Sequence, residues 1–395
     1  MSAEILSIVE HVLDSEVART GFELGWDHAR HGLTPPAEQL SAASAIRQGY
    51  EAGRASFGGR TRLATPMVQL WLQLRQQAWL RGLAFETLSV TPNYLGQLQT
   101  SHCPVTRCAL AVGRQLPPHG APEDRVVARV CEDAGYAAGN LAVIGLAADL
   151  AKADLAWDDA WARAETLRIN ARRHGIAQAD GLNANAWRRL AVLMSFVTPL
   201  AHHDAARLPL LVLPPNRLHL LNPIQGLQVL ATQLLARSGW SQRLSRFLAL
   251  LPSDALRGDF QRVFLALLPK VIAAGAPTDA LRRRWALEDA WLDAEVLQLW
   301  QRFALQLDAE RSQALLERAT AEGLMGQRVL LHSDEQATDG WALETRGYLP
   351  SGCGPMRQPR QAGAADAARA QPRHAALARL AAPVAAQPRQ LPLLD

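Results

Sequence analysis

From Leu141 to about Gly326 nearly every apolar residue falls at the three-, four- or seven-residue step of a helix face, which leaves little room for a sheet-based fold. The longest run goes from Leu281 through Trp285, Leu292, Val296, Leu299 and Phe303 to Leu307, one apolar stripe held for about seven turns at 3.6 residues per turn. Thr278 and Asp279, just after Pro277, are its expected caps. Further helices are predicted near 142–174, 184–203, 223–237, 240–250, 254–274 and 308–323, joined by short Pro or Gly loops. No repeat of fixed period appears, so a packed helical domain is expected rather than a solenoid.

The amino-terminal part is helical too. Ile5, Ile8, Val9, Val12 and Leu13 share one face of a helix that continues toward Phe22 and Trp26, until Gly32, Pro35 and Pro36 break it. A second helix is predicted over about Ser44 to Ala55, ended by Gly58-Gly59, and the two should form a hairpin. After Pro66 a longer helix carries Val68, Trp71, Leu72, Arg75, Trp79 and Leu80 and stops at Gly82.

Residues 83 to 140 change character. They hold Pro92, Pro104, Pro117, Pro118 and Pro122, several glycines and the β-favouring piece Thr87 to Val90, so a compact, loop-rich unit is expected. Beyond about Gly354 the chain turns to Ala, Pro, Arg and Gln, too poor in large apolar residues to offset the entropy of ordering. The expected fold is mainly α. A helical N-terminal region (1–85) leads to a small ββα-like central module (86–155), a C-terminal α-helical domain (156–330), and a linker with a disordered basic tail (331–395).

Charge does not choose a partner. Lys and Arg number 41 against 37 Asp and Glu, a surplus of only +4 spread over 395 residues. The cations are nearly all Arg, with Lys only at Lys152 and Lys270, which fits either GC-rich coding or phosphate recognition by the guanidinium fork. Four cysteines, Cys103, Cys108, Cys131 and Cys353, are too few for a disulfide framework. No signal peptide opens the chain, so a cytoplasmic location is expected. The most apolar stretches, Leu208 to Pro215 and Leu220 to Leu235, fall short of the ~18–20 residues a bilayer requires, so no membrane contact is expected.

The most distinctive stretch is TPNYLGQLQTSHCPVTRCAL followed by APEDRVVARVCEDAGYAAGNLAVIGLAADLAKA. Over residues 92–155 it resembles HNH-type (His-Me finger) endonuclease modules. Cys103, Pro104, Val105 and Thr106 match the leading turn, Gly135, Tyr136, Gly139 and Asn140 the glycine turn, and Lys152 the helix end. The resemblance implies a ββα unit in which a general base activates water and a divalent cation, Mg or Mn, is held against a scissile phosphate. The match fails at catalytic positions. Ala128 stands where the family places its leading Asp, Cys131-Glu132 where Asp-Asn is usual, and Asp149 where Asn is usual; a register starting at Asp124-Arg125 restores the acid but lengthens the spacing. The catalytic candidates are therefore His102, His119 and Asp124, with Asp124, Asp133 and Asn140 as metal positions, and the module is either a divergent nuclease or a remnant that lost its chemistry. A zinc site on Cys103, Cys108 and Cys131 lacks the usual second ligand pair, and buried small hydrophobes are the alternative.

Residues 20–56 resemble the small helical hairpin of ribosome modulation factor and its relatives. Gly25, Trp26, Ala29, Gly32, Pro36, Gly49, Tyr50, Ala52 and Gly53 carry the pattern. The resemblance implies RNA contact. Arg30, Arg47, Arg54, Arg60 and Arg62, together with Arg125 and Arg129 on the central module, are the candidate nucleic-acid contacts, with Trp26 or Tyr50 available for base stacking. Small residues beside aromatics that let two helices cross closely explain the same pattern without a ligand.

His28 with His31, and His202-His203-Asp204, have spacings that metal ligands also use. Walker, dinucleotide-binding, HExxH and GxSxG motifs do not occur. Two functions remain open: association with nucleic acid, DNA or RNA, or a helical adaptor that docks a protein partner on a Trp-rich face around Trp285, Trp291 and Trp300.

Overall fold

The computed structural model describes residues 16–111, 120–236, 239–273, 279–325, 330–331 and 338–349. The predicted helical start at Ile5 to Leu13, the candidate base His119, the cap Thr278, Cys353 and the tail beyond Gly354 lie outside the described residues. The architecture is mainly helical, with three two-stranded sheets among the described residues. No described helix is long and apolar enough to cross a membrane.

Helices α1 (Glu16–Arg30) and α2 (Ala45–Phe57) form at the predicted places but not as a hairpin. Gly21 meets Ala45, Phe22 meets Gly49, Gly25 meets Ile46 and Tyr50, and Ala29 meets Gly53, so the contacts climb together and the helices run in the same direction. The segment between them, with a 3-10 turn at Ala37–Gln39, carries the chain back to the starting end. Small residues every fourth position, Gly21, Gly25 and Ala29 on one helix and Ala45, Gly49 and Gly53 on the other, make two flat rows that let the backbones approach. A methyl group at Gly25 would collide with the Ile46 carbonyl, and one at Gly49 with that of Phe22. Helix α3 (Pro66–Leu80), capped by the Thr65 hydroxyl with Pro66 in its first turn, closes a small core of Leu24, Ile46, Val68 and Leu72.

Residues 83–140 are loop-rich as expected, with one short helix, α4 (Pro92–Gln97), capped by Thr91. The expected ββα order follows. Strand β1 (Arg125–Arg129) pairs antiparallel with β2 (Leu141–Gly145), from Arg125 opposite Gly145 to Arg129 opposite Leu141, and α5 (Leu146–Lys152) leads directly from β2. The single helix expected over 142–174 is therefore wrong. All of Leu141 to Gly145 is buried, and β-branched Val143 and Ile144 extend against Val127 and Val126 instead of coiling. Ala153 turns to positive φ at the end of α5, and α6 (Trp157–His174) starts afresh and ends at left-handed Gly175.

Helix α7 (Ala184–Phe196), capped by Asn183, packs against α6, and α8 (His202–Arg207) replaces the last turns of the helix expected to reach 203. Helices α9 (Pro223–Leu235), α10 (Trp240–Leu250), α11 (Asp254–Ala273) and α14 (Ala309–Ala321) match the predicted positions closely. The long stripe at 281–307 does not hold as one helix. It divides into α12 (Ala280–Asp289), capped by Asp279 as predicted, a 3-10 turn at Ala290–Leu292, and α13 (Ala294–Ala304). Asp293 makes the break, because its side chain accepts the backbone N–H groups of Glu295 and Val296 and starts a new helix.

One continuous hydrophobic core runs from Leu74 on α3 through β1 and β2 to the helices beyond and on to Trp341. The central module and the C-terminal helices are thus two parts of one packed body. Part of the segment read as a linker and tail belongs to it as well: residues 338–349 fold back, and Trp341 is 1% exposed.

Candidate functional site

The glycine turn at 134–140 lies at the centre of this body, and its backbone groups are hydrogen-bonded almost one by one. Gly135 donates to the Trp341 carbonyl at 2.8 Å, Tyr136 donates to Ala84 at 2.8 Å, and Tyr136 accepts from Glu86 at 2.9 Å. The Ala138 amide donates to the Glu86 carboxylate at 2.8 Å, while its carbonyl accepts the Trp341 indole N–H at 2.9 Å. Gly139 donates to the Tyr94 hydroxyl at 2.9 Å and accepts the His219 amide at 3.0 Å. Burial raises the Tyr94 phenol to about 12, so it holds that bond as a neutral hydroxyl. Gly139 has φ +87, and a Cβ there would enter the His219 ring, which stacks on Trp341 at 6.2 Å.

Asn140, assigned above to a metal, is fully buried and spends its amide on the turn itself. Its Oδ1 accepts the Cys131 N–H at 2.8 Å, and its Nδ2 donates to the carbonyls of Cys131 and Gly135 at 3.0 and 3.1 Å. Asp133, the second metal candidate, is exposed. Asp124 caps its own turn, its Oδ2 accepting the Ala121 N–H at 2.8 Å. His102 bonds Ser101 at 3.0 Å through Nδ1 and lies edge-on to Trp285 at 5.7 Å, with no hydrogen bond or ion pair to Asp124. Among the described residues no three His, Cys, Asp or Glu side chains are grouped to hold a metal ion. The donor set for Mg or Mn, which prefer several oxygen ligands in octahedral geometry, does not form there. Nor do the thiols gather for zinc. Cys103 is buried and accepts the Gly145 N–H at 3.3 Å, Cys108 is exposed, and Cys131 is half-buried, its thiol pushed up by burial.

What the ββα unit does hold is a charge network that sequence reading did not assemble. Glu132 bridges Arg129 and Lys152, the latter 1% exposed. Arg129 also donates to the carbonyls of Glu132 and Ala134 at 2.9 and 2.8 Å and lies over the Tyr136 ring at 5.5 Å, so this candidate nucleic-acid contact is spent inside the fold. Burial raises the Asp149 carboxyl above its ordinary value, and Glu132 adds to that, against the pull of Lys152, Arg81 and Arg129. Arg125 donates to Gln99 Oε1 at 2.6 Å.

The other arginine candidates separate by position. Arg47 pairs with Glu51 on its own helix at 2.7 Å. At the opposite end of the parallel pair, where both helices finish, the Arg62 amide donates to the Arg30 carbonyl at 2.8 Å, and the 58–62 loop hangs from Arg54 and Phe57 through the Gly58 and Arg60 amides. Arg54, Arg60 and Arg62 are exposed there and none has a carboxylate partner among the described residues. The nearby acid Asp27 binds buried Arg75 at 2.5 Å and reaches Arg30 only at 3.9 Å. The aromatic candidates are committed elsewhere: Trp26 packs between Phe22 and Phe57, and Tyr50 bonds Thr34 at 3.2 Å and underlies Arg54.

The histidine spacings resolve as packing. His28 is buried and bonds the Leu24 carbonyl through Nδ1 at 2.8 Å, burial pulling both it and His31 below the usual imidazole range. His202 bonds the Ala304 carbonyl at 3.0 Å, and His203 pairs with Asp204 at 3.1 Å. The proposed tryptophan docking face is a correction as well: Trp291 and Trp300 are wholly buried, edge to face at 5.5 Å, and Trp285 is half-buried beside His102 and Arg107. Set beside protein-family models, curated proteins and solved structures, the chain matches none.

Proposed function

We propose that this protein associates with nucleic acid through the basic end of the α1–α2 pair, and that its ββα unit is a scaffold that does not cleave. The observation that carries the reading is the gathering of Arg30, Arg54, Arg60 and Arg62 where the two parallel helices end, with Asp27 already engaged by Arg75. Such a cluster favours phosphate by charge and counterion release, without base readout. The scaffold half rests on Ala128, which offers no carboxylate, and on Asn140, whose amide is consumed by the turn.

The test is binding of the full chain to single-stranded RNA and to duplex DNA between about 50 and 200 mM salt. Replacing Arg54, Arg60 and Arg62 together by Ala should weaken binding to every sequence alike and flatten the log–log salt slope by up to about 2.7 for duplex, one ~0.9 step per lost phosphate contact. No salt-sensitive binding by the native chain at low salt overturns the reading. Cleavage in Mg or Mn that is lost on replacing Asp124 or Glu132 overturns its scaffold half.

A further inference from the structure

We propose that Arg189 anchors a binding site for a small oxyanion of the phosphate class, between the Cys103–Arg107 turn and the start of the helical body. Arg189 sits on α7 with 8% exposure, and its Nε donates to the Val105 carbonyl at 2.6 Å. Its two terminal nitrogens have no partner among the described residues, and neither is among the polar atoms sealed from solvent. The carboxylates nearby are already taken. Both oxygens of Asp289 accept from Arg107, at 2.8 and 2.7 Å. Glu288, 1% exposed, takes Arg107 on Oε2 at 3.1 Å, and on Oε1 the Leu213 amide at 2.9 Å and Arg284 at 3.0 Å.

Arg107, Arg189 and Arg284 thus share two carboxylates, Glu288 and Asp289, and the uncompensated charge falls on Arg189, the guanidinium that touches neither. A buried charge without an ion pair of its own is costly, and burial with the repulsion of Arg107 lowers Arg189 to about 10 against the pull of Asp289 and Glu288, which still leaves it charged at neutral pH. Two free NH2 groups on one planar fork suit the paired oxygens of phosphate. Two sources present that chemistry: free inorganic phosphate, or a phosphodiester of bound nucleic acid. The site does not depend on the basic end of α1–α2.

The probe is inorganic phosphate, titrated at constant ionic strength into the full chain and followed by thermal unfolding and by phosphorus NMR. The native chain should show a rise in Tm that grows with the logarithm of phosphate above Kd, reaching roughly 3–5 °C at about a hundredfold excess over Kd, while the phosphorus NMR response saturates. Arg189→Met, which keeps the apolar stem, should lose the rise, while Arg189→Lys keeps a weaker one with its single point charge. An equal rise in a folded Arg189→Met variant, or a phosphorus NMR response of the native chain that never saturates, overturns the site. Should Arg189→Met not fold, the native titration and the Lys variant decide. A thymidine oligonucleotide without terminal phosphates then separates the sources: Arg189-dependent displacement of phosphate points to the phosphodiester, and no displacement to the free ion.

Discussion

Asn140 and Cys131 face each other as a closed pair, the Asn140 amide accepting the Cys131 N–H at 2.8 Å and donating to its carbonyl at 3.0 Å. This pair ties the ends of the glycine turn and leaves the side chain no surplus donor. Asn140→Ala leaves the Cys131 amide and the Gly135 carbonyl of the buried turn unpaired and the Cys131 carbonyl with only the Ala134 amide at 3.3 Å, and urea unfolding should show a loss of about 2–4 kcal/mol. Asn140→Asp should lose more, since a carboxylate would face the carbonyls of Cys131 and Gly135. A stability-neutral Asn140→Asp would contradict the structural role.

The parallel crossing of α1 and α2 sets a second expectation. Gly49→Ala pushes a methyl into the Phe22 carbonyl and should destabilise by about 1–3 kcal/mol or more, with Tm as readout. Gly96→Ala on α4 meets only Met67, at 3.9 Å, and should be neutral or gain up to about 1 kcal/mol from helix propensity. Equal effects at both sites would mean that α1 and α2 do not touch as described.

Asp149 gives a pH dependence. Its folded value is raised by burial, so the stability tied to its neutral form is present below the unfolded carboxylate range and is lost as pH rises through the raised folded value. Asp149→Asn should therefore match the native chain in Tm at about pH 4 and exceed it at about pH 7, well above the unfolded carboxylate range. A native advantage at neutral pH would show that Lys152 outweighs burial.

Trp341 clamps the glycine turn from about 200 residues further along the chain. Trp341→Ala removes a buried indole and leaves the Ala138 carbonyl without its 2.9 Å partner, so a loss of about 3–5 kcal/mol is expected in chemical denaturation. Trp341→Phe should recover most of the packing share, so the loss it retains relative to the native chain reports the hydrogen bond.

Local pattern made much of this readable in advance. Val68, Leu72 and their neighbours fixed α3, and Pro66 and Asp279 fixed helix starts, while the β1–turn–β2–α5 order was expected from the resemblance, since periodicity alone read residues 142–174 as helix. The same periodicity could not show Asp293 cutting the 281–307 stripe, because a cap and a mid-helix Asp look alike until a backbone N–H takes the carboxylate. The fourth-residue spacing of Gly21, Gly25 and Ala29 and of Ala45, Gly49 and Gly53 was the available signal for parallel packing, yet it gives closeness and not direction.

By itself, then, the sequence determined that the chain is mainly helical and where most helices begin and end, since these depend on contacts within a few residues, while the ββα unit was expected only from the family resemblance. Tertiary structure decided the use of each polar group. Asn140 became a staple, Arg129 half of an ion pair with Glu132, Trp291 and Trp300 core, and Arg189 a guanidinium with no ion pair among the described residues. The partners that settle those roles lie far away along the chain, Val105 for Arg189, Thr232 for Trp291 and Trp341 for the glycine turn, and only the folded chain brings them within hydrogen-bonding reach.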